Sequence, residues 1–331
     1  MAVSLPSYSR TINNEFVQTW DMIRAEAIDN VLDAIPTWAA LKHRLSTQNG
    51  GVKINRTIRY GEIDAEATAK GATLPVGEPE LKTMAQWDWR ILVVPVQADL
   101  VDDAKNAGKF QITSYRNDRL QAARDGLQQK LQAAMYGSIV TAETGNEPQG
   151  LNDMIPVVAS QTTGTYGGIN RPTAFSGGAP STGNTFWGSK YKATTAPVAV
   201  NLLTDMRNLY NTIGSNLEPP NLIIMDQDWF EIYEEFGVDQ SQIAKKTGGL
   251  ADLGFETLLF KGKDMIWDAG VTNNSAFFLN TNYIDVVYHP AMWFDITDFK
   301  PLPTSTSRVA HIFCMYNVIS TQLRRHGLLY T

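Results

Sequence analysis

The chain has 331 residues, a formal charge of −6, 43% hydrophobic residues and 19% charged ones, enough for one large domain or two ordinary ones around a substantial core. The acidic balance supplies no basic domain or stripe of the kind that grips nucleic acid, and the single cysteine, Cys314, excludes an intramolecular disulfide framework and points to a reducing cytoplasm. The longest apolar run, Ile91-Leu92-Val93-Val94-Pro95-Val96, is far short of the roughly 20 residues of a spanning helix, and the first residues carry no basic stretch followed by an apolar one, so neither a membrane span nor a signal peptide is read. Low charge beside eight Trp, twelve Tyr and thirteen Phe suits a chain that gives much surface to protein contacts; a large enzyme core accounts for it equally well.

Phe16, Trp20, Ile23, Ala27 and Val31 recur at helical steps, with Asn13 or Asn14 as N-cap, and Pro36 is expected to end or bend this helix. Its apolar face packs either on its own domain or, as an arm, on a neighbouring subunit. After Gly50-Gly51, the alternation of Val52, Ile54, Ile58 and Tyr60 with Lys53, Asn55, Thr57 and Arg59 predicts a strand. A tip of small and polar residues follows, 65–77. Trp87, Trp89, Ile91 and Val93 then alternate with Asp88 and Arg90, predicting one returning strand. An isolated hairpin is marginal in water, so a long one is expected to lie on another surface.

From Ser114 to Gly137 runs the longest helix, striped by Leu120, Ala123, Leu127, Leu131 and Ala134, with Ser114 as cap and Gly137 at the C′ position. A loop region extends to about Pro197. A helix on Leu202, Met206, Leu209 and Ile213 follows, then a buried strand at Asn221–Met225 and a helix from about Asp228 capped by Asp226. Strands are expected at Thr257–Trp267, Ala276–Val287, Trp293–Phe299 and Val309–Ile319. The fold class is α+β.

No G-x-S-x-G, H-E-x-x-H, Walker or G-x-G-x-x-G pattern occurs. Gly248 to Gly254 is glycine-rich without the Lys or the spacing of a phosphate cradle. The four histidines, His43, His289, His311 and His326, are scattered; His311 and Cys314, three apart on a strand, fall on opposite faces and make a poor ligand pair. Asp226-Gln227-Asp228 reads as helix capping more readily than as a cation site. No catalytic, cofactor or metal residue is therefore assigned, and the chain is not expected to be an enzyme. Hairpin cations Lys53, Arg56, Arg59, Lys70, Lys82 and Arg90 interleave with Glu62, Asp64, Glu66, Glu78 and Glu80. A nucleic-acid groove would carry one sign; mixed signs suit contact with a copy of the same chain.

The order of these parts resembles the major capsid proteins of tailed phages, the Hong Kong 97-type family. Glu147-Pro148-Gln149-Gly150-Leu151 is similar to that family's E-P-x-G-L turn, and Tyr166-Gly167-Gly168-Ile169-Asn170-Arg171 with Phe186-Trp187 resembles a Y-G-G-I-[DN]-R…W segment of one subgroup. Pro220–Met225 leading into Asp228-Trp229-Phe230 looks like the A-domain strand and helix, and Gln322–Gly327 like the closing strand. The resemblance implies an N-terminal arm (1–45), an E-loop (46–96), a P-domain (97–150 and 291–325, spine helix about 114–137) and an A-domain (151–290, with 326–331 as closing strand). It implies self-assembly into pentamers and hexamers, an icosahedral shell around double-stranded DNA contacted only weakly, and location in the virion after assembly in the host cytoplasm. A portal is an implied partner; the arm begins within about ten residues, so a separate scaffolding protein or none is expected, and a decoration protein is left open. Lys53, Lys70 and Lys82 are E-loop lysines, but no Asn and Glu pair matches the family's cross-link, so none is expected. An encapsulin, a bacterial compartment shell of the same fold, is the alternative.

Overall fold

In a computed structural model of the chain, two β-sheets of different make-up divide the core between them. The structure describes residues 32–59, 67, 69–71, 81–99, 101, 115–137, 146–156, 165–171, 187–195, 198–214, 218–240, 258–303 and 305–331. The helix expected on Phe16 to Val31, the hairpin tip apart from 67 and 69–71, and residues 248–254 lie outside them.

The helix α1 (Pro36–Leu41) has Pro36 in its opening turn. Residues 32 and 33 are helical and 34–35 turn out of that helix just ahead of Pro36, as expected of a proline that ends one; Pro36 also opens α1, where a missing N–H costs nothing in a first turn and the fixed φ is already helical. Leu32, Ile35, Trp38 and Leu41 are all buried, so from Leu32 onward this segment packs on its own domain. A short strand β1 (Leu45–Thr47) follows, then β2 (Lys53–Arg59), β3 (Lys82–Asp88) and β4 (Arg90–Asp99). β2 and β3 pair antiparallel, Ile54 opposite Trp87 and Ile58 opposite Thr83.

The single strand predicted through Trp87 to Val93 is two strands. Residue Trp89 separates them, and the inward face changes parity there. Ala85 and Trp87 are buried before the break, Leu92 and Val96 after it, while Ile91 and Val93 are 44% and 45% exposed. Alternation could not reveal this, because 91–96 is apolar at both parities.

The helix α2 (Tyr115–Met135) buries Ala123, Leu127, Leu131 and Ala134 on one stripe. Ser114, its expected cap, is outside the described residues. Gly137 is not left-handed as expected of a C′ glycine; its N–H donates to Ala134 O. Instead Gly150, at the head of the short helix α3 (Leu151–Met154), closes the end. A Cβ there would stand 2.5–2.7 Å from the carbonyls of Met135, Gly137 and Ala134, and Asn152 Nδ2 donates to Tyr136 O at 2.6 Å. The helix thus ends against a glycine and an amide, which is why Gly150 lies where the sequence puts it.

A minimal hairpin, β5 (Thr165–Tyr166) and β6 (Ile169–Asn170), turns through Gly167 and Gly168, both at positive φ, the pair of left-handed residues a type I′ turn requires. After β7 (Lys190–Ala193) come α4 (Val198–Gly214), β8 (Leu222–Met225) and α5 (Gln227–Gln240). The stripe Leu202, Met206, Leu209 and Ile213 is buried. The stretch Thr257–Trp267 is two strands, β9 (Leu258–Phe260) and β10 (Lys263–Trp267). Ala276–Val287 likewise divides into β11 (Ser275–Leu279) and β12 (Ile284–Ile296), which join different sheets across a 3-10 turn at 281–283. The last strands are β13 (Lys300–Pro301), β14 (Ser307–Ser320) and β15 (Gly327–Tyr330).

Along the five-stranded sheet β1, β12 and β14 lie side by side, with β13 and β4 also on β14; ten consecutive pairs bind Arg90–Asp99 to Ser307–Tyr316. The six-stranded sheet runs β7-β15-β11-β8-β10-β9. Its strand β8 is buried throughout, one parity (Leu222, Ile224) in the larger core and the other (Ile223, Met225) in a smaller core with α4 and α5. The divisions drawn from the sequence at 96/97 and 290/291 therefore cut through single strands, β4 and β12; the sheets change hands at Trp89 and at 280–283.

Candidate assembly site

Three contact sets fix the hairpin and α1 to the two sheets. At the hairpin root, β2 and β3 turn Ile54, Ile58, Ala85 and Trp87 inward. Trp87 meets Tyr166 edge to face, centroids 5.7 Å apart. Gly167 passes so close that a Cβ would stand 2.8 Å from the Trp87 ring, and its carbonyl accepts from Gln86 N at 2.9 Å. Trp187 Nε1 donates to Tyr166 O at 2.9 Å, and Arg171 lies over the Tyr166 ring while donating to Met154 O. The Tyr166–Arg171 motif is thus a seat for the hairpin: two glycines make the turn, Tyr166 and Trp187 form its floor. Burial keeps the Tyr166 phenol far above its ordinary range, so it stays neutral and accepts from Ser320 N.

The opposite face of the hairpin is bare. Lys53, Asn55, Thr57 and Arg59 stand opposite Asp88, Gln86, Met84 and Lys82, all exposed, with Met84 at 54% and Val52 at 92%. Lys53 pairs with Asp88 at 3.4 Å. The outward parity of β4 continues this surface with Ile91 and Val93.

The second set centres on Asn317, fully buried. Its Oδ1 accepts from Gln149 N at 2.9 Å and its Nδ2 donates to Asp88 O at 3.0 Å. One side chain therefore ties the Glu147–Leu151 turn, the end of β3 and the central strand β14. Lys130 and Glu147 add an ion pair at 2.7 Å.

The third set is a buried polar cluster where α1, α2 and the loop after β10 meet. Asp268 Oδ2 accepts from Thr37 Oγ1 (2.6 Å) and Thr37 N (3.3 Å), and its Oδ1 from Gln132 Nε2 (2.8 Å) and Gly270 N (2.9 Å). A carboxylate only accepts, so Thr37 spends its proton on Asp268 and must accept from the Tyr136 hydroxyl. Burial and then the Asp268 charge push the Tyr136 pKa well up, keeping that proton in place.

The candidates for chemistry are not brought together. His43 is exposed, and His289 packs on Trp89 at 5.9 Å. His311 is half-buried while Cys314 is fully buried, opposite Trp293 and Leu92. Asp226 accepts from Asn274 N at 2.7 Å at the start of α5; burial raises its pKa, opposed by backbone N–H groups of Asn274 and Trp229. Among the described residues no three His, Cys, Asp or Glu side chains gather as metal ligands would.

One pair escaped the sequence reading. Ser320 Oγ and His326 Nε2 are 2.9 Å apart, both fully buried. His326 Nδ1 accepts from Asn280 N at 3.2 Å, so the neutral ring carries its proton on Nε2 and donates it to Ser320. A base that activates a serine needs the other tautomer. Burial, then Arg325, lowers the His326 pKa to about 3. The pair is a strap between the end of β14 and the turn into β12. Six residues of separation across two elements gave no periodic signal for it.

No family model and no curated protein matches the chain. Solved structures do. The capsid subunit of cyanophage A-1(L) is similar over 89% of this chain and 92% of its own, with a TM-score of 0.63 at 15% identity. The capsid of Myoviridae phage XM1 is similar over 88% and 90%, with 0.55 at 9% identity. The holo-SrpI encapsulin complex of Synechococcus elongatus PCC 7942 is similar over 88% and 86%, with 0.51 at 9% identity. The chain has the α+β fold of Hong Kong 97-type capsid proteins.

Proposed function

We propose that the chain is a major capsid protein whose copies assemble into pentamers and hexamers that close an icosahedral shell around double-stranded viral DNA. The observation that carries this reading is the fold, matched over about nine-tenths of both chains by phage capsid subunits. The hairpin adds support, seated on its own chain by one face and bare on the other. In this reading residues 46 to 88 form the E-loop, the sheet of β12, β14 and β4 with α2 as spine forms the P-domain, and the six-stranded sheet forms the A-domain. Flat subunits meet by heterologous contacts that close into rings. The acidic balance lets packaged DNA slide against the wall. Scaffolding and portal proteins are its expected partners in the virion.

A second reading, an encapsulin-type compartment shell, is supported by the similarity to the SrpI encapsulin. Purified protein viewed by negative-stain electron microscopy tests both. Closed particles are expected; a protein that stays monomeric or dimeric at high concentration rejects them. Enclosed nucleic acid supports the capsid and enclosed protein the compartment. Deleting residues 65–77 is expected to leave a folded subunit that forms no stable shell, and boiled particles are expected to run as monomers.

A further inference from the structure

Asn49-Gly50 is the only Asn-Gly step in the sequence, and it falls in the four residues joining β1 to the hairpin. Gln48 N is held by Tyr288 O at 3.1 Å, and β2 begins at Lys53, so 49–52 carries the whole connection on that side. Asn49 is exposed. Its carboxamide and the Gly50 N–H make no hydrogen bond among the described residues. Gly50 has φ +83 with no atom within 4 Å of where a Cβ would be, so nothing hinders its approach to a neighbouring side chain.

We propose that Asn49 is a site of spontaneous deamidation that alters the hairpin root. The Gly50 amide nitrogen, after losing its proton, attacks Asn49 Cγ; the Cγ–N bond breaks and ammonia leaves, forming a five-membered succinimide. Water then opens either carbonyl, giving aspartate or isoaspartate. The balance is water in and ammonia out, with no change of oxidation state. The Asp125-Gly126 step is an internal contrast, because it lies inside α2, where helical geometry holds the backbone nitrogen away from its neighbour's side chain.

Both products place a new carboxylate beside Gln48, whose side chain now receives Arg56 Nη1 at 3.3 Å and donates to Gly50 O at 3.2 Å. Isoaspartate also inserts a methylene into the main chain of the linker. Trp89 Nε1 donates to Gly51 O at 2.8 Å, so the change reaches the break between β3 and β4. The chemistry is independent of the shell reading; its effect on assembly rests on that reading.

The test is incubation of the full chain in mildly alkaline buffer, followed by peptide mapping and enzymatic labelling of isoaspartate. Asn49 is expected to lose its amide faster than every other asparagine, with isoaspartate in excess of aspartate. The Asn49→Gln variant is expected to lose that signal and to melt as the parent does, since the side chain makes no hydrogen bond among the described residues. Retention of the Asn49 amide while other asparagines convert overturns the proposal. Particle formation, followed in both proteins, separates the two readings: shells from a chain that never deamidates sink only this inference, and deamidation in a chain that forms no shells sinks only the assembly.

Discussion

Thr37 Oγ1 donates to Asp268 Oδ2 at 2.6 Å across 231 positions of sequence, joining α1 to the end of β10 in the six-stranded sheet. Because the carboxylate cannot donate, the order of protons from Tyr136 through Thr37 to Asp268 is fixed. An Asp268→Asn substitution turns an amide NH₂ toward one of these donors and is expected to cost about 1–3 kcal/mol. Thr37→Val removes the link and orphans the tyrosine proton, at a similar cost. The double variant should lose less than the sum, since both act on one cluster. Urea unfolding of unassembled subunits measures all three, and strict additivity would contradict the cluster.

Two glycines on or beside α2 should respond in opposite directions. Gly126 is exposed within the helix with open space at its Cβ position, so Gly126→Ala is expected to stabilise by about 0.5–1 kcal/mol. Gly150→Ala drives a methyl into three carbonyls and is expected to yield mostly insoluble or unfolded chain. Thermal melts and soluble yield compare them; equal behaviour would show that Gly150 can move aside.

The hairpin seat predicts a local loss. Gly167→Ala strains a positive φ and pushes on the Trp87 ring. Hydrogen exchange should rise across 82–88 and 165–171 while 284–296 stays protected. Uniform exchange across the chain would mean that the seat is not a separate unit.

His326 sets a pH dependence. Its folded pKa, about 3, lies below the ordinary 6.5, so the unfolded chain binds the extra proton first. The stability this group supplies is complete above pH 6.5 and falls as pH drops toward 3, with a slope of about 1.4 kcal/mol per pH unit. Urea midpoints between pH 7 and 5 should shift accordingly, and His326→Gln should flatten the curve. An unchanged slope in that variant would assign the effect elsewhere.

The elements that periodicity describes well were legible from the sequence: the α2 stripe, the α4 stripe and the strand at Asn221–Met225. What escaped it depended on tertiary partners. Pro36 follows the end of one helical segment and opens another, and a helical period read up to the proline shows only the first of these. Residues 91–96 are apolar at both parities, so the inward face was unreadable there. The division between β11 and β12 rests on Asn280, whose side chain caps the turn. The two stretches that carry the family likeness owe their glycines to tertiary contacts, Gly150 against carbonyls and Gly167 against an indole. Asn317, Asp268 and His326 gave no signal, because a buried polar group is defined by partners far away in sequence.

The long pairing of β4 with β14 also has a mechanical side. The strand β4 continues the hairpin strand β3 past Trp89, and hydrogen bonds between antiparallel strands run perpendicular to the strand axis. A pull on the hairpin along that axis loads all ten pairs of the β4–β14 ladder in shear at once, where a sideways pull would open them one at a time. The hairpin is therefore stiff against tension along its length and compliant against peeling, so a shell built from such subunits would resist internal pressure better than it resists a tug at one edge.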